Sequence, residues 1–310
     1  MKMNMISPRT SLPALVLCLS ALACSDDGGS EGEDEDVGET EAGETDTGEE
    51  GRAVELSFAA AVAGEPAACG TTYEGVGSSA SAVEIQDLRF FVSEIELLDA
   101  EGSATALTLE QDGLWQYENI ALLDFEDGTS ACADAGTTEI NDTVVGTVPE
   151  GDYVGLRFVL GVPFEYNHLD VDLAPSPLNV ASMFWAWQSG YKFARVDLRV
   201  GDEGDAWFWH QGSTGCESGA SEEAPSDACA RSNRLSVEFA DFDPASQRVV
   251  FDVGALLSNI DLTTDGGGAP GCMSGVDDPE CTPLFTELGL DLTTGTCVSD
   301  CSDQALFHVE

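Results

Sequence analysis

Ala82-Val-Glu-Ile-Gln-Asp-Leu-Arg-Phe-Phe-Val-Ser-Glu-Ile-Glu-Leu-Leu98 is the stretch on which the fold turns. Its apolar residues, Val83, Ile85, Leu88, Phe90, Val92, Ile95 and Leu97, keep the short spacing of strands, and the stretch reads as two strands around a kink. Before it, Val54, Leu56, Phe58, Ala60 and Val62 alternate with their neighbours, and after it so do Val154, Leu156, Phe158 and Leu160, as half-buried strands do. Residues 191–200 read as a strand through Phe193, Val196, Leu198 and Val200, and 206–210 as a short aromatic strand. Residues 233–239 and 247–253 are expected to pair across the turn at Asp243-Pro244, with one helical turn at 255–259 and a last strand at 305–309. Pro175 and Pro177 keep 170–179 out of any central strand. No long stretch carries the 3.6-residue period of an amphipathic helix. The expected fold is all-β: an antiparallel β-sandwich or barrel-like domain stabilised by disulfides.

The 310 residues, 43% of them hydrophobic, can bury a sizeable core. A net charge of −47 excludes nucleic acid as a partner and disfavours an anionic membrane surface, while attracting cations and basic proteins. The start reads as a secretory leader: Lys2 and Arg9, an apolar run over 12–23, then Ser-Ala-Leu-Ala-Cys24. Residues 1–23 are a signal peptide on this reading, and Cys24 is the lipidated first residue, although Ala21 stands where a lipobox usually has leucine. From 25 to 51 the chain carries thirteen acids and no base, a composition that forms no core and acts as an extended spacer. The expected organisation is a lipid anchor and acidic linker over 24–52, a β domain over 53–260, and a Cys-rich, loop-rich extension of the same domain over 261–310. The protein is expected to be exported, either periplasmic or anchored to the outer membrane as a lipoprotein.

Eight cysteines follow the leader: Cys69, Cys132, Cys216, Cys229, Cys272, Cys281, Cys297 and Cys301. An even number in an exported chain implies disulfides, and none of the spacings is that of a zinc knuckle. Sequence leaves the pairing open. Local pairing would join Cys216–Cys229, Cys272–Cys281 and Cys297–Cys301, leaving Cys69–Cys132 as a long-range clamp.

No nucleophile elbow, phosphate loop, dinucleotide fingerprint or haem-attachment motif is present, so an enzyme is the weaker reading. Chemistry concentrates in Val162-Pro-Phe-Glu-Tyr-Asn-His168, Met183-Phe-Trp-Ala-Trp-Gln-Ser-Gly-Tyr-Lys-Phe193 and Trp207-Phe-Trp-His-Gln-Gly-Ser-Thr-Gly-Cys216. Two of the three histidines and four of the five tryptophans lie in these segments. Imidazole suits copper and zinc, which makes His168 and His210 candidate ligands, whereas His308 reads as surface. An intact indole only donates a hydrogen bond, so a tryptophan could ligate a metal only after covalent change.

Cys69-Gly, Asp87-Leu-Arg-Phe-Phe-Val-Ser93, Trp115-Gln, Ala121-Leu-Leu-Asp-Phe-Glu-Asp-Gly128, Gly151-Asp-Tyr-Val-Gly-Leu-Arg-Phe158, Gly161-Val-Pro-Phe164, Asn167-His168, Ala174-Pro-Ser-Pro-Leu-Asn179, the Met183–Phe193 segment, Gly212-Ser-Thr-Gly-Cys216 and Asn233-Arg234 occur in order. Together they resemble the MbnP-like copper-binding family, also called metallo-mystery pair four-Cys proteins, from about Val54 to Val253. The resemblance implies an exported copper-binding protein, not an enzyme, working beside an MbnH-like dihaem protein of the cytochrome c peroxidase type. That partner would oxidise one tryptophan to kynurenine, whose aniline-type nitrogen and ketone could join histidines at copper. It implies His168 and His210 as ligands, Trp115 as first choice for the altered residue with Trp185 and Trp187 as alternatives, and Cys69, Cys132, Cys216 and Cys229 as the family cysteines. The competing reading is a calcium-stabilised β-sandwich adhesion module using Asp124-Phe-Glu-Asp-Gly128 and Asp277-Asp278-Pro-Glu280.

Overall fold

The computed structural model describes residues 51–310 apart from Ala135, Trp187 and Ser221. The leader, Cys24, the tether up to residue 50 and Trp187 lie outside the described residues. The strands used below are β1 (Arg52–Val62), β2 (Thr72–Val76), β3 (Ser81–Leu98), β4 (Ile120–Asp124), β5 (Thr143–Val148), β6 (Gly155–Leu160), β7 (Ala194–Val200), β8 (Asp205–Gln211), β9 (Leu235–Phe239), β10 (Arg248–Asp252), β11 (Gly271–Cys272) and β12 (Phe307–Val309). Three short helices accompany them: α1 (Phe164–Asn167), α2 (Val253–Leu257) and α3 (Cys281–Glu287).

Two sheets face each other. The first runs β12–β10–β1–β5 and the second β9–β6–β3–β7–β8–β11, with β2 and β4 along the other side of β3. Pairing is mostly antiparallel, but β1–β10 and β8–β11 are parallel. Alternation puts Phe58, Phe251 and Phe307 of the first sheet against Phe90, Phe158 and Trp209 of the second. Phe90 stacks on Phe251 with ring centroids 4.3 Å apart, and Trp209 lies 5.9 Å from Phe251. The fold is therefore the expected β-rich, disulfide-tied one. Its four disulfides are Cys69–Cys132, Cys216–Cys229, Cys272–Cys281 and Cys297–Cys301.

Three local expectations are corrected. The 82–98 stretch lies within one strand of 18 residues, Ser81–Leu98, rather than two. Its apolar period slips twice, and each slip is absorbed without breaking the strand. Pairing with β7 shifts between Asp197 and Leu198, pairing with β6 shifts between Arg157 and Val159, and Glu94 takes φ 51 at the second irregularity. Residues 233–239 and 247–253 form β9 and β10, but these belong to different sheets. The turn is real: Asp243 accepts from Ala245 N at 3.0 Å and Ser246 Oγ at 2.8 Å. It carries the chain from one sheet to the other, with Phe242 buried beside it.

The third correction concerns the tail, which is woven into the domain rather than stapled onto it. β11 pairs with β8 and β12 with β10, while Leu284, Phe285, Leu288 and Phe307 enter the main core. Apolar residues are few there, but nearly all point inward. The sequence also gave no warning of α3, which has Pro283 in its first turn, where the missing N–H costs nothing. Among the described residues no helix is long and apolar enough to cross a membrane.

β3 is also where the second sheet forks. Phe91 N donates to Phe193 O at 2.8 Å, and Phe91 O accepts from Gly161 N at 2.9 Å. One residue's N–H and C=O point to the same strand edge, so β7 and β6 share that edge in tandem and part at Phe91. Residues 162–192 leave and re-enter at this fork. Gly161 makes it possible: its φ is 141°, and a Cβ there would sit 2.9 Å from Arg234 Cγ.

Phe90→Ala should lower unfolding free energy by about 3–5 kcal/mol, because the stacked ring leaves a cavity between both sheets. Urea denaturation followed by tryptophan fluorescence measures the loss, and a change under 1 kcal/mol would contradict this account of the core.

Candidate metal centre

The outer face of the second sheet has an apolar half and a charged half, both fixed by strand alternation. Phe91, Ile120, Leu122 and Phe193 form the apolar half, and the 162–192 segment covers them with Val162, Leu178, Met183 and Tyr191. α1 is held down because Asn167 Oδ1 accepts from Tyr191 N at 2.9 Å. Lys192 Nζ donates to Ser182 O at 2.7 Å, and burial pulls its pKa down to about 8. His168 follows α1 directly. Its ring lies 5.2 Å from the Phe164 ring, and its Nε2 is 3.2 Å from Asn167 Nδ2 and 3.6 Å from Cys229 Sγ.

In the charged half, register aligns Arg89 of β3, Arg195 of β7 and His210 of β8 in one row, with Asp87 and Asp197 in the next. Residues two apart on a strand share a face, so each acid falls beside the bases of the adjacent row. The result is a chain of alternating sign. Glu126 Oε1 lies 3.8 Å from Arg89 Nη1; Arg89 donates to Asp87; Arg195 Nη1 bridges to Asp87 Oδ2 at 2.8 Å and its Nη2 to Asp197 Oδ2 at 2.6 Å; His210 Nε2 meets Asp197 Oδ1 at 2.6 Å. All six are buried except Arg195, which is partly buried.

Burial pushes Asp87 up despite its arginines. Asp197 is held low: burial opposes its charge, but hydrogen bonds from His210 and Arg195 outweigh it. His210 is held below the usual imidazole range because desolvation of the cation exceeds the pull of Asp197. The pair therefore rests as a carboxylate and a neutral imidazole. A carboxylate on one ring nitrogen, leaving the other for a metal, is the support that metal-binding histidines use.

The tryptophans divide by face. Trp207 and Trp209 point into the main core, on the face opposite to Phe208 and His210. Trp115 packs half-buried against the covered apolar half, where Tyr117 and Tyr166 also meet. Trp185 lies over Gly212, two residues beyond His210: a Cβ on Gly212 would sit 2.4 Å from its Cζ3. Trp185 also lines an open cleft of about 390 Å³ with Gln188, Ser213, Cys216 and Met273. His308 is half-exposed in β12, 3.7 Å from Glu310, away from these residues.

Among the described residues one group of three metal-capable side chains converges: His168, Cys216 and Cys229, with ligand atoms within 4.8 Å of one another. The two sulfurs are bonded to each other, so neither is a thiolate. Among the described residues His168 and His210 do not form such a group with a common third ligand: His168 stands beside Cys229, and His210 beside Asp197. No trio of carboxylates converges among the described residues. Asp124 and Glu126 serve Arg89, and Glu280 accepts from Gly266 N. Sequence reading missed Asp87, Arg89, Arg195 and Asp197. The available signal was Asp87-Leu-Arg89 and Arg195-Val-Asp197, charges two apart inside apolar strands.

These features define a two-sheet, disulfide-tied β domain with a buried carboxylate–imidazole pair beneath an aromatic-rich loop. The MbnP family model matches residues 51–274, and the chain belongs to that family. It is similar to the solved structure of MbnP from Methylosinus trichosporium, with 36% identity and a TM-score of 0.72, covering 83% of this chain and 98% of that one. No curated protein matches the chain.

The charged face has a pH signature. Burial raises Asp124 to about 7, against the opposing pull of Arg89. A carboxyl raised in the folded state stabilises fully below its unfolded pKa, and that stability is lost as pH rises through about 7. Asp124→Asn should therefore flatten the fall in urea midpoint between pH 4 and pH 8. The difference amounts to a few kcal/mol at most, at about 1.4 kcal/mol per pKa unit. Parallel pH profiles for wild type and variant would refute the assignment.

Proposed function

We propose that the protein is an exported copper-binding protein whose site uses His168, His210 and a tryptophan oxidised to kynurenine by an MbnH-like dihaem partner. It is a carrier and a protein substrate of that partner rather than an enzyme. Anchoring through Cys24 and the acidic tether of 24–52 would hold it at the membrane, and its negative surface suits both a cation and a basic partner. The observation that carries the reading is His210: buried, neutral and gripped by Asp197, as copper-ligating imidazoles are. Family membership supports it.

Among the described tryptophans the geometry favours Trp185 over Trp115. Trp185 packs against the strand of His210 and shares a cleft with Cys216, whose bonded partner Cys229 touches His168. An opened indole there would offer nitrogen and ketone oxygen to the gap between the two imidazoles.

Protein isolated with its partner should be heavier by about 4 Da, the gain of one oxygen and loss of one carbon, and peptide mapping should put that change on Trp185. With its disulfides intact it should bind copper only in that form. His210→Ala should abolish binding and Asp197→Asn should weaken it by about 10–100-fold. Unaltered tryptophans together with copper binding indifferent to His168→Ala and His210→Ala would end this reading.

A further inference from the structure

The Cys216–Cys229 disulfide differs from the other three in where its sulfurs sit. Cys132, Cys272, Cys281 and Cys301 each bury one or both ends of their bonds in the core, whereas Cys216 and Cys229 are both half-buried. Cys216 opens on the cleft that also holds the Met273 thioether. The bond closes the 217–228 loop, whose described residues form no helix or strand and whose charged residues are Glu217, Glu222, Glu223 and Asp227.

The feet of that loop are fixed without the sulfur bond. Thr214 and Arg231 exchange backbone hydrogen bonds at 2.9 and 3.0 Å, Ala230 N donates to Gly215 O at 3.0 Å, and Arg231 Nε donates to Thr214 Oγ1 at 2.9 Å. Ser213 Oγ donates to Ser232 O at 3.0 Å, and Asn233 Nδ2 to Gly212 O at 2.8 Å. Opening the bond would leave the two cysteines facing each other.

We propose that Cys216, Cys229 and His168 form a redox-gated site for a soft d10 cation, closed while the disulfide stands and opened when it is reduced. Two thiolates and an imidazole are the donor set that selects monovalent copper or zinc. Metal–sulfur bonds of about 2.3 Å and a metal–nitrogen bond of about 2.0 Å in a trigonal centre place nitrogen about 3.7 Å from sulfur. His168 Nε2 already stands 3.6 Å from Cys229 Sγ. The sulfurs need only part from bonding distance to about 4 Å, which rotation about their Cα–Cβ bonds supplies.

The chemistry balances with a dithiol as reductant. Its thiolate attacks one sulfur, the Cys216–Cys229 bond breaks, and the reductant closes its own disulfide as two electrons and two protons pass to the cysteines. A cation then displaces both thiol protons, forming two metal–sulfur bonds and one bond to His168. Passing the two electrons back to a disulfide acceptor re-forms the sulfur–sulfur bond and expels the cation. This site uses neither His210 nor an altered tryptophan and shares only His168 with the copper site proposed above.

The test uses the whole protein made without any partner, so that its tryptophans are intact. It is treated anaerobically with a mild dithiol, freed of reductant, and mapped by alkylation to see which cysteines have opened. Monovalent copper is then offered from a coloured chelator. Reduced protein should withdraw one equivalent more than oxidised protein, with a thiolate-to-metal absorption band in the near ultraviolet. Cys216→Ser/Cys229→Ser should lose that equivalent, His168→Ala should weaken it at least tenfold, and His210→Ala should leave it unchanged. Equal uptake by oxidised and reduced protein, uptake surviving in the double serine variant, indifference to His168→Ala, or failure of this pair to open before the buried ones would each overturn the proposal.

Discussion

Phe91 ties two strands to one edge of a third. Its N–H and C=O are the two hydrogen bonds at which β7 ends and β6 begins. Without that fork the second sheet would have no opening from which a 31-residue segment, 162–192, could emerge and return at the same point. The segment is irregular, yet both its ends are strand-bound, and its interior is packed on Phe91 and Phe193 themselves. Loops that carry function are ordinarily the mobile parts of a fold. Here the scaffold grips the loop at both ends and from beneath.

The charged half of the same face works by a different economy. Burying Asp87, Arg89, Glu126, Asp197 and His210 removes much of their hydration, which salt bridges alone rarely recover. What makes the arrangement tolerable is order. Asp87 and Asp197 each lie between two bases, Glu126 closes one end on Arg89, and the other end is an imidazole that can shed its proton. His210 is thus the group that absorbs the imbalance: its own burial, helped by Lys192 and Arg195, outweighs the pull of Asp197 and keeps it neutral. A core of leucines on these positions would fold as well or better, so the network is a sign of function rather than of stability.

Much of this was legible beforehand because period-two patterning is strong where one face is buried. Val54 to Val62 and Leu156 to Leu160 lie where alternation put them, although Val154 is exposed just ahead of its strand, and the short cysteine spacings gave the right bonds. The reading failed where tertiary context overrides local pattern. Two bulges keep Ser81–Leu98 continuous, and a slip in apolar phase cannot by itself say whether a strand bends or breaks. Residues 233–253 resemble a hairpin because sequence records the turn but not which sheet receives each arm. For the site, motif resemblance reached the histidines and the aromatic segment, while Asp197 escaped because a charged residue two from an arginine reads as a solvated face. The bonding of Cys216 to Cys229 next to His168 depends on a contact 61 residues apart, which no local pattern encodes.

The order of strands along the chain has one more result. β1 takes β10 as its parallel neighbour, and β10 in turn is flanked by β12, the last three-residue strand before Glu310. On the opposite sheet the His210 strand is bordered by β11, and Ser274 Oγ accepts from Gly212 N and donates to His210 O. A nascent chain can therefore complete the His210 sheet only once residues 271–272 have arrived, and the β1 sheet only once 307–309 have. Maturation of the imidazole pocket is thereby deferred until a segment more than sixty residues downstream, through Ser274, has joined it.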